Sequence, residues 1–130
     1  MTLAFDTSIL IRLEKKDKAV MSRISKITKV DSAPAVIPFM SYFEFYHGLE
    51  AKSPKNKESA MIFLNKFQCI HTTKETAHIL SNLKHGYEKK GNSFSLADLL
   101  IASHAIENNL TLVTTDRQFK EIEELKKIIL

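Results

Sequence analysis

Leu3-Ala4-Phe5-Asp6-Thr7-Ser8-Ile9-Leu10-Ile11-Arg12-Leu13 is the stretch whose reading decides the fold. A short apolar run stops at Asp6-Thr7-Ser8, and hydrophobicity resumes at Ile9. This reads as a strand followed at once by a helix, with a carboxylate left at the strand's carboxyl end. In open parallel sheets ligands bind in the crevice outside those ends, which makes Asp6 a site candidate before any other residue is weighed.

The remainder of the chain repeats the alternation. Ala19, Val20, Ile24, Ile27 and Val30 share one helical face, with Lys18, Arg23, Lys26 and Lys29 mostly on the other. The continuously apolar segment from Ala33 to Phe39 reads as a strand covered on both faces, its prolines near the ends where a missing amide does least harm. Ser41 is placed to cap a helix over Tyr42 to Ala51, and Glu58 to Lys66 supports another helix. Phe67 to His71 reads as a third strand. Thr72 or Thr73 is placed to cap an amphipathic helix from Glu75 to Lys90, which Gly91 closes. The helix beginning at Ser95 is apolar almost all round and should be buried. Leu110 to Thr114 is a fourth strand, Asp116 follows it closely, and the last six residues offer a fifth at an edge. Strands alternating with helices imply an α/β fold on a central parallel sheet of four to five strands with right-handed crossovers.

The 130 residues suit one domain spanning the whole chain, and 44% hydrophobic with 26% charged residues are ordinary globular values. No apolar run is long enough to cross a bilayer, no secretory signal opens the chain, and Cys69 is the only cysteine. A soluble, cytoplasmic protein is expected. Its net charge of +4 suits a polyanionic partner as well as it suits plain solubility. Drawing four acids into one pocket would leave the remaining surface more basic still.

Four acids are the candidates for chemistry: Asp6, Glu44, Asp98 and Asp116. Each has a structural reading of its own. Asp6 and Asp116 can cap helices, and Ser41-x-x-Glu44 and Ser95-x-x-Asp98 have the form of capping boxes. Against four separate structural roles stands their placement, because all four fall just after a strand or in the first turn of a helix. In a parallel sheet they therefore belong to one edge. Carboxylates crowded there repel one another unless a multivalent cation sits among them, and oxygen-only ligation suits magnesium or manganese rather than zinc. Other chemistries are poorly served. The five histidines include no His-Glu-x-x-His, one cysteine cannot build a thiolate cluster, and three glycines form no phosphate-binding loop.

At these residues the chain resembles the PIN-domain ribonucleases, and within them the VapC-type toxins of toxin–antitoxin pairs. Asp6-Thr7-Ser8 resembles the family's first motif and Ser41-Tyr42-Phe43-Glu44, with Gly48 and Leu49 downstream, its second. Ala97-Asp98-Leu99-Leu100-Ile101-Ala102 resembles the third, and Leu112-Val113-Thr114-Thr115-Asp116 with Phe119 the fourth. The resemblance implies a three-layer α/β/α fold and an acidic pocket for Mg2+ or Mn2+. It implies Asp6, Glu44, Asp98 and Asp116 as catalytic and metal-holding acids, and Thr114 as a supporting hydroxyl. Relatives often carry Asn at the place of Asp116. A homodimer and inhibition by a small VapB-like antitoxin are implied by the same likeness.

The expected reaction is hydrolysis of single-stranded or loop RNA, with water attack leaving a 5′-phosphate and a 3′-hydroxyl. Arg12, Lys15 and Lys16 are the leading candidates for phosphate contacts, with Lys18, Lys84, Lys89 and Lys90 behind them. Tyr42, Phe43 and Tyr46 read as core aromatics, with base stacking as the alternative, and His47 and His104 as core or surface residues. Two rivals stand beside this expectation: a non-catalytic RNA- or protein-binding module whose acids are caps, and a metal-dependent DNA nuclease.

Overall fold

Strand β1 (Leu3–Phe5) is buried at every position, and its side chains divide between two cores: Leu3 and Phe5 join one, Ala4 the other. The same division recurs in β2 (Val36–Pro38), where Val36 and Ile37 face opposite ways, and in β4 (Thr111–Thr114), where Leu112 and Val113 do. This is the physical content of an unbroken apolar strand: a sheet covered on both sides has no polar face. The computed structural model describes residues 1–29 and 33–130.

All pairings are parallel, and the five-stranded sheet has the order β3-β2-β1-β4-β5, with β3 (Gln68–Ile70) and β5 (Lys127–Ile129) at its edges. Chain order runs outward from β1 in both directions, so the topological switch point lies between β1 and β4. On one face, α1 (Thr7–Glu14), α2 (Lys18–Thr28), α3 (Phe39–Gly48) and α4 (Pro54–Leu64) bury Ile9, Leu10, Val20, Phe45, Ala60 and Leu64. On the other, α5 (Lys74–Lys89) and α6 (Leu96–Glu107) bury Leu83, Tyr87, Leu99, Ala102 and Ala105. The architecture is the expected three-layer α/β/α arrangement. Among the described residues, no helix is long and apolar enough to cross a membrane.

Several boundaries differ from the sequence reading, each for a local reason. Helix α3 begins at Phe39, with Pro38 at its N-cap and no side-chain cap bond, so Ser41 lies inside the helix. Proline's fixed φ and missing amide suit a helix start. Ser41 is therefore fully buried with an unpartnered hydroxyl, and the Ser41/Glu44 capping box does not form. Helix α4 starts four residues earlier than Glu58, because Ser53 accepts from the Asn56 amide and Pro54 occupies the first turn. Leu49–Ala51, expected as the end of the preceding helix, tightens into a 3-10 turn.

Other expectations hold. Thr73 and Thr76 form a capping box at α5, and Gly91 takes φ +79° just beyond that helix, where its amide and that of Asn92 satisfy the carbonyls of Glu88 and Tyr87. Of the expected α2 face, Val20 is buried and Ile24 and Ile27 are half-buried against the core, but Ala19 is exposed, as are Lys18, Arg23, Lys26 and Lys29 and, in α1, Ile11. Val30, read as part of the α2 face, lies outside the described residues. Two of the three α3 aromatics read as core are instead exposed, Phe43 at 49% and Tyr46 at 41%, while Tyr42 is half-buried against the core beside buried Phe45. The helix starts three residues before the expected Tyr42, and it turns Phe45 to the core and Phe43 to solvent. His104 is fully buried in α6, and His47 is exposed.

Candidate active site

Asp6, Asp98 and Asp116 take their positions from a turn that ends a strand or opens a helix, whereas Glu44, expected in a first turn, lies six residues into α3. Asp6 follows β1 directly and is the N-cap of α1, where its Oδ1 accepts from the Ile9 amide at 3.2 Å. It is only 4% exposed. The Ser8 hydroxyl donates to the same oxygen at 2.6 Å, and the Thr114 hydroxyl donates to Oδ2. Those two hydroxyls are themselves acceptors: Ser8 Oγ takes the Thr115 amide at 3.1 Å and Thr114 Oγ1 the Asp116 amide at 3.0 Å. The carboxyl ends of β1 and β4 are thus tied together across the switch point.

Glu44 reaches the same edge from the middle of α3, where its Oε1 accepts from the Thr7 hydroxyl at 2.6 Å. Asp98 sits in the first turn of α6, which Ser95 caps through the Asp98 amide at 3.1 Å. Asp116 caps the 3-10 turn Arg117–Glu121, accepting from the Gln118 amide at 2.9 Å. Buried Phe119 and Ile122 anchor the segment behind it.

The electrostatics link these acids. Burial, the largest cause, pushes the Asp6 carboxyl above its usual range against the hydrogen bonds from Ser8, Thr114 and Ile9, with the Asp116 charge adding to the rise. Asp98 is likewise raised, first by desolvation and then by the charges of Asp116 and Glu44, while its bond with Ser95 works the other way. The acids therefore form a row in which Asp6 feels Asp116, and Asp98 feels both Asp116 and Glu44. Among the described residues, none of them is ion-paired with Lys, Arg or His.

This donor set suits a hard divalent cation in kind, since it is all oxygen, adjacent and uncompensated. It is not a closed cage: among the described residues, no three His, Cys, Asp or Glu side chains converge closely enough to hold an ion as they stand. Each carboxylate rests instead on a neighbouring donor, and like charges with such donors to hand keep apart. The cap roles of Asp6 and Asp116 and the common edge therefore coexist.

Surrounding grooves bring some of the expected basic residues near and leave others apart. A groove of about 190 Å³ is lined by Glu44 with Ile11, Lys15 and Lys52. A second, of about 400 Å³, is lined by Ser8 and Thr115 with Ile11, Arg12 and Lys15. Lys15 thus lines both grooves. Arg12 pairs with Asp17 at 3.2 Å on the surface, and Lys16 borders a separate groove with Lys52 and Lys66. On α5, Lys84 pairs with Glu88, and just beyond that helix Lys90 lies over the Tyr87 ring, 5.1 Å from its centroid. Sequence reasoning did not single out Thr7 and Ser8 as site residues. The available signal was that two hydroxyls in the first turn after a capping aspartate have carboxylates within reach.

The chain matches the PIN domain family over residues 3–125. It is 27% identical over 127 residues to Ribonuclease VapC2 of Rickettsia felis, covering 96% of this chain and 95% of that one. Among solved structures it is similar to VapBC2 from Rickettsia felis bound to a DNA fragment from their promoter, with TM-score 0.88 and 27% identity over 100% of this chain and 99% of the other. VapBC-1 from nontypeable Haemophilus influenzae shares the fold at 20% identity, TM-score 0.84, covering 99% and 98% of the two chains. With the acids gathered at the switch point of a five-stranded parallel sheet and the match running through nearly the whole chain, this protein belongs to the PIN domain family.

Proposed function

We propose that this chain is a divalent-metal-dependent endoribonuclease acting on single-stranded or loop RNA, and the toxin of a VapBC-type pair. The observation that carries the reading is the row of acids at the switch point, electrostatically coupled and without a cationic partner among the described residues. Similarity to Ribonuclease VapC2 over nearly the full length of both chains supports RNA as the substrate. Similarity to the VapBC2 complex supports a VapB-like antitoxin as partner, and the proposed place of action is the cytoplasm.

In this reading Asp6, Glu44, Asp98 and Asp116 hold Mg2+ or Mn2+. When bound, such an ion acidifies water toward neutral pH and offsets the charge of a pentacoordinate phosphate. Asp98, half-buried and with its carboxyl raised by that burial and then by neighbouring charge, is suited to accept the proton of the attacking water. Ser8 and Thr114 hold Asp6 with both oxygens as acceptors, and Thr7 fixes Glu44. Lys15, beside both grooves, and Arg12, once released from Asp17, supply phosphate contacts along a flexible strand. A homodimer would set two such edges in one assembly.

The decisive experiment is Mn2+-dependent cleavage of a single-stranded RNA by purified chain, with Asp6→Asn and Asp98→Asn in parallel. Cleavage lost in both variants, leaving 5′-phosphate and 3′-hydroxyl ends, is the expected result. Equal activity in all three preparations would indicate a contaminant, and a 2′,3′-cyclic phosphate product would rule out water attack. A matched DNA strand separates ribonuclease from DNA nuclease. The local hydrogen bonds of each acid favour one other reading, a binding module whose carboxylates are only caps, and absence of any metal-dependent cleavage would favour it.

A further inference from the structure

Ser8 occupies the second position of α1, and its hydroxyl joins groups far apart in sequence. The Oγ atom accepts the Thr115 amide at 3.1 Å and donates to Asp6 Oδ1 at 2.6 Å. With the amide proton on the oxygen, the hydroxyl's single proton is the one directed at the carboxylate. Thr114 repeats the device from the other strand, accepting the Asp116 amide and donating to Oδ2. Asp6 is therefore gripped from both sides by hydroxyls whose oxygens are occupied by successive amides of the loop that carries Asp116. Oδ1 also receives the Ile9 amide, which leaves Oδ2 as the oxygen with room for a further partner.

We propose that Ser8 is a positioning residue that locks the Asp6 carboxylate to the Thr114–Asp116 loop, so that Asp6 offers Oδ2 to a divalent cation while Asp116 is held in register beside it. The role rests on the metal-nuclease reading above. Without the hydroxyl, Oδ1 keeps only the Ile9 amide and the carboxylate gains freedom to rotate. At the same time the Thr115 amide loses its acceptor, and the loop presenting Asp116 loosens. Partners of this kind, which touch a ligand-bearing side chain rather than the ion, change metal affinity about 10- to 100-fold when removed.

The test compares the full chain with Ser8→Ala, Ser8→Thr and Asp6→Asn, reading Mn2+ binding by electron paramagnetic resonance and amide hydrogen exchange in the metal-free protein. Ser8→Ala is expected to weaken Mn2+ binding about tenfold or more and to speed exchange at Thr115, with Ser8→Thr recovering both. A residue that served only to cap the helix would speed exchange in α1 and leave Mn2+ affinity and the Thr115 amide alone. Wild-type Mn2+ affinity in Ser8→Ala, or no recovery in Ser8→Thr, overturns the role of Ser8 and leaves the nuclease reading standing. Wild-type chain that binds Mn2+ no better than Asp6→Asn removes the nuclease reading and the role of Ser8 together.

Discussion

Thr114 shows how much a single hydroxyl carries when it is fully buried between two functional groups. It donates to Asp6 and accepts from Asp116, so Thr114→Val, which preserves shape, leaves a buried carboxylate oxygen and an amide without their partner. A loss of about 1–3 kcal/mol in urea denaturation is expected, together with loss of metal-dependent cleavage. Asp98 gives the pH dependence. Burial first, and then the charges of Asp116 and Glu44, hold its folded carboxyl above the ordinary aspartate value, so the folded state binds the proton more readily than the unfolded state. Its favourable contribution is complete below that value and is lost as pH rises through the folded pKa. Asp98→Asn should therefore gain stability relative to wild type as pH is raised from acid toward neutral in chelator, and urea midpoints of the two chains measure the gap. A constant gap would mean that Asp98 is not strained by its neighbours.

Among the elements, the start of α3 offers the sharpest check on the fold. If Ser41 capped this helix, Ser41→Ala would cost about 1 kcal/mol. Lying inside the helix with a buried, unpartnered hydroxyl, it should instead be close to neutral or stabilising on substitution. Ser53→Ala, which removes the cap of α4, should show the cost of about 1 kcal/mol that Ser41→Ala lacks, and thermal unfolding of the two variants compares them directly. The 3-10 turn after β4 depends on Phe119, 2% exposed and packed in the core with Ile122 and Leu125. Phe119→Ala should cost about 3–5 kcal/mol and loosen the loop that carries Asp116, read as a lower urea midpoint with faster exchange at Gln118.

At the scale of the whole molecule, the proposed metal site predicts a fold whose stability responds to divalent ions. Mn2+ at a hundred times its Kd should stabilise the wild type by about 2.7 kcal/mol and leave Asp6→Asn almost unmoved, as thermal unfolding with and without the ion would show. The alternation of apolar strands with helices was legible in the sequence, since a strand covered on both faces must be apolar throughout. So were the acids, because Asp6, Asp98 and Asp116 stand beside turn and cap residues whose chemistry is local. The true starts of α3 and α4 were less legible: Pro38 and Pro54 read equally well as breakers and as first-turn residues, and only the packed neighbours choose. The exposure of Phe43 and Tyr46 was likewise decided by packing, which turns Phe45 of the same helix to the core and leaves those two at the surface. By itself, then, the sequence determined that β1 ends in a carboxylate and that Asp98 and Asp116 open a helix or follow a strand, while the place of Glu44 in the middle of α3 came from the fold. Tertiary structure alone decided which oxygen meets which hydroxyl. The bonds from Thr114 to Asp6, from Ser8 to the Thr115 amide and from Thr7 to Glu44 join residues far apart in the chain, and only the parallel pairing of β1 with β4 and the packing of α1 against α3 brings them within reach.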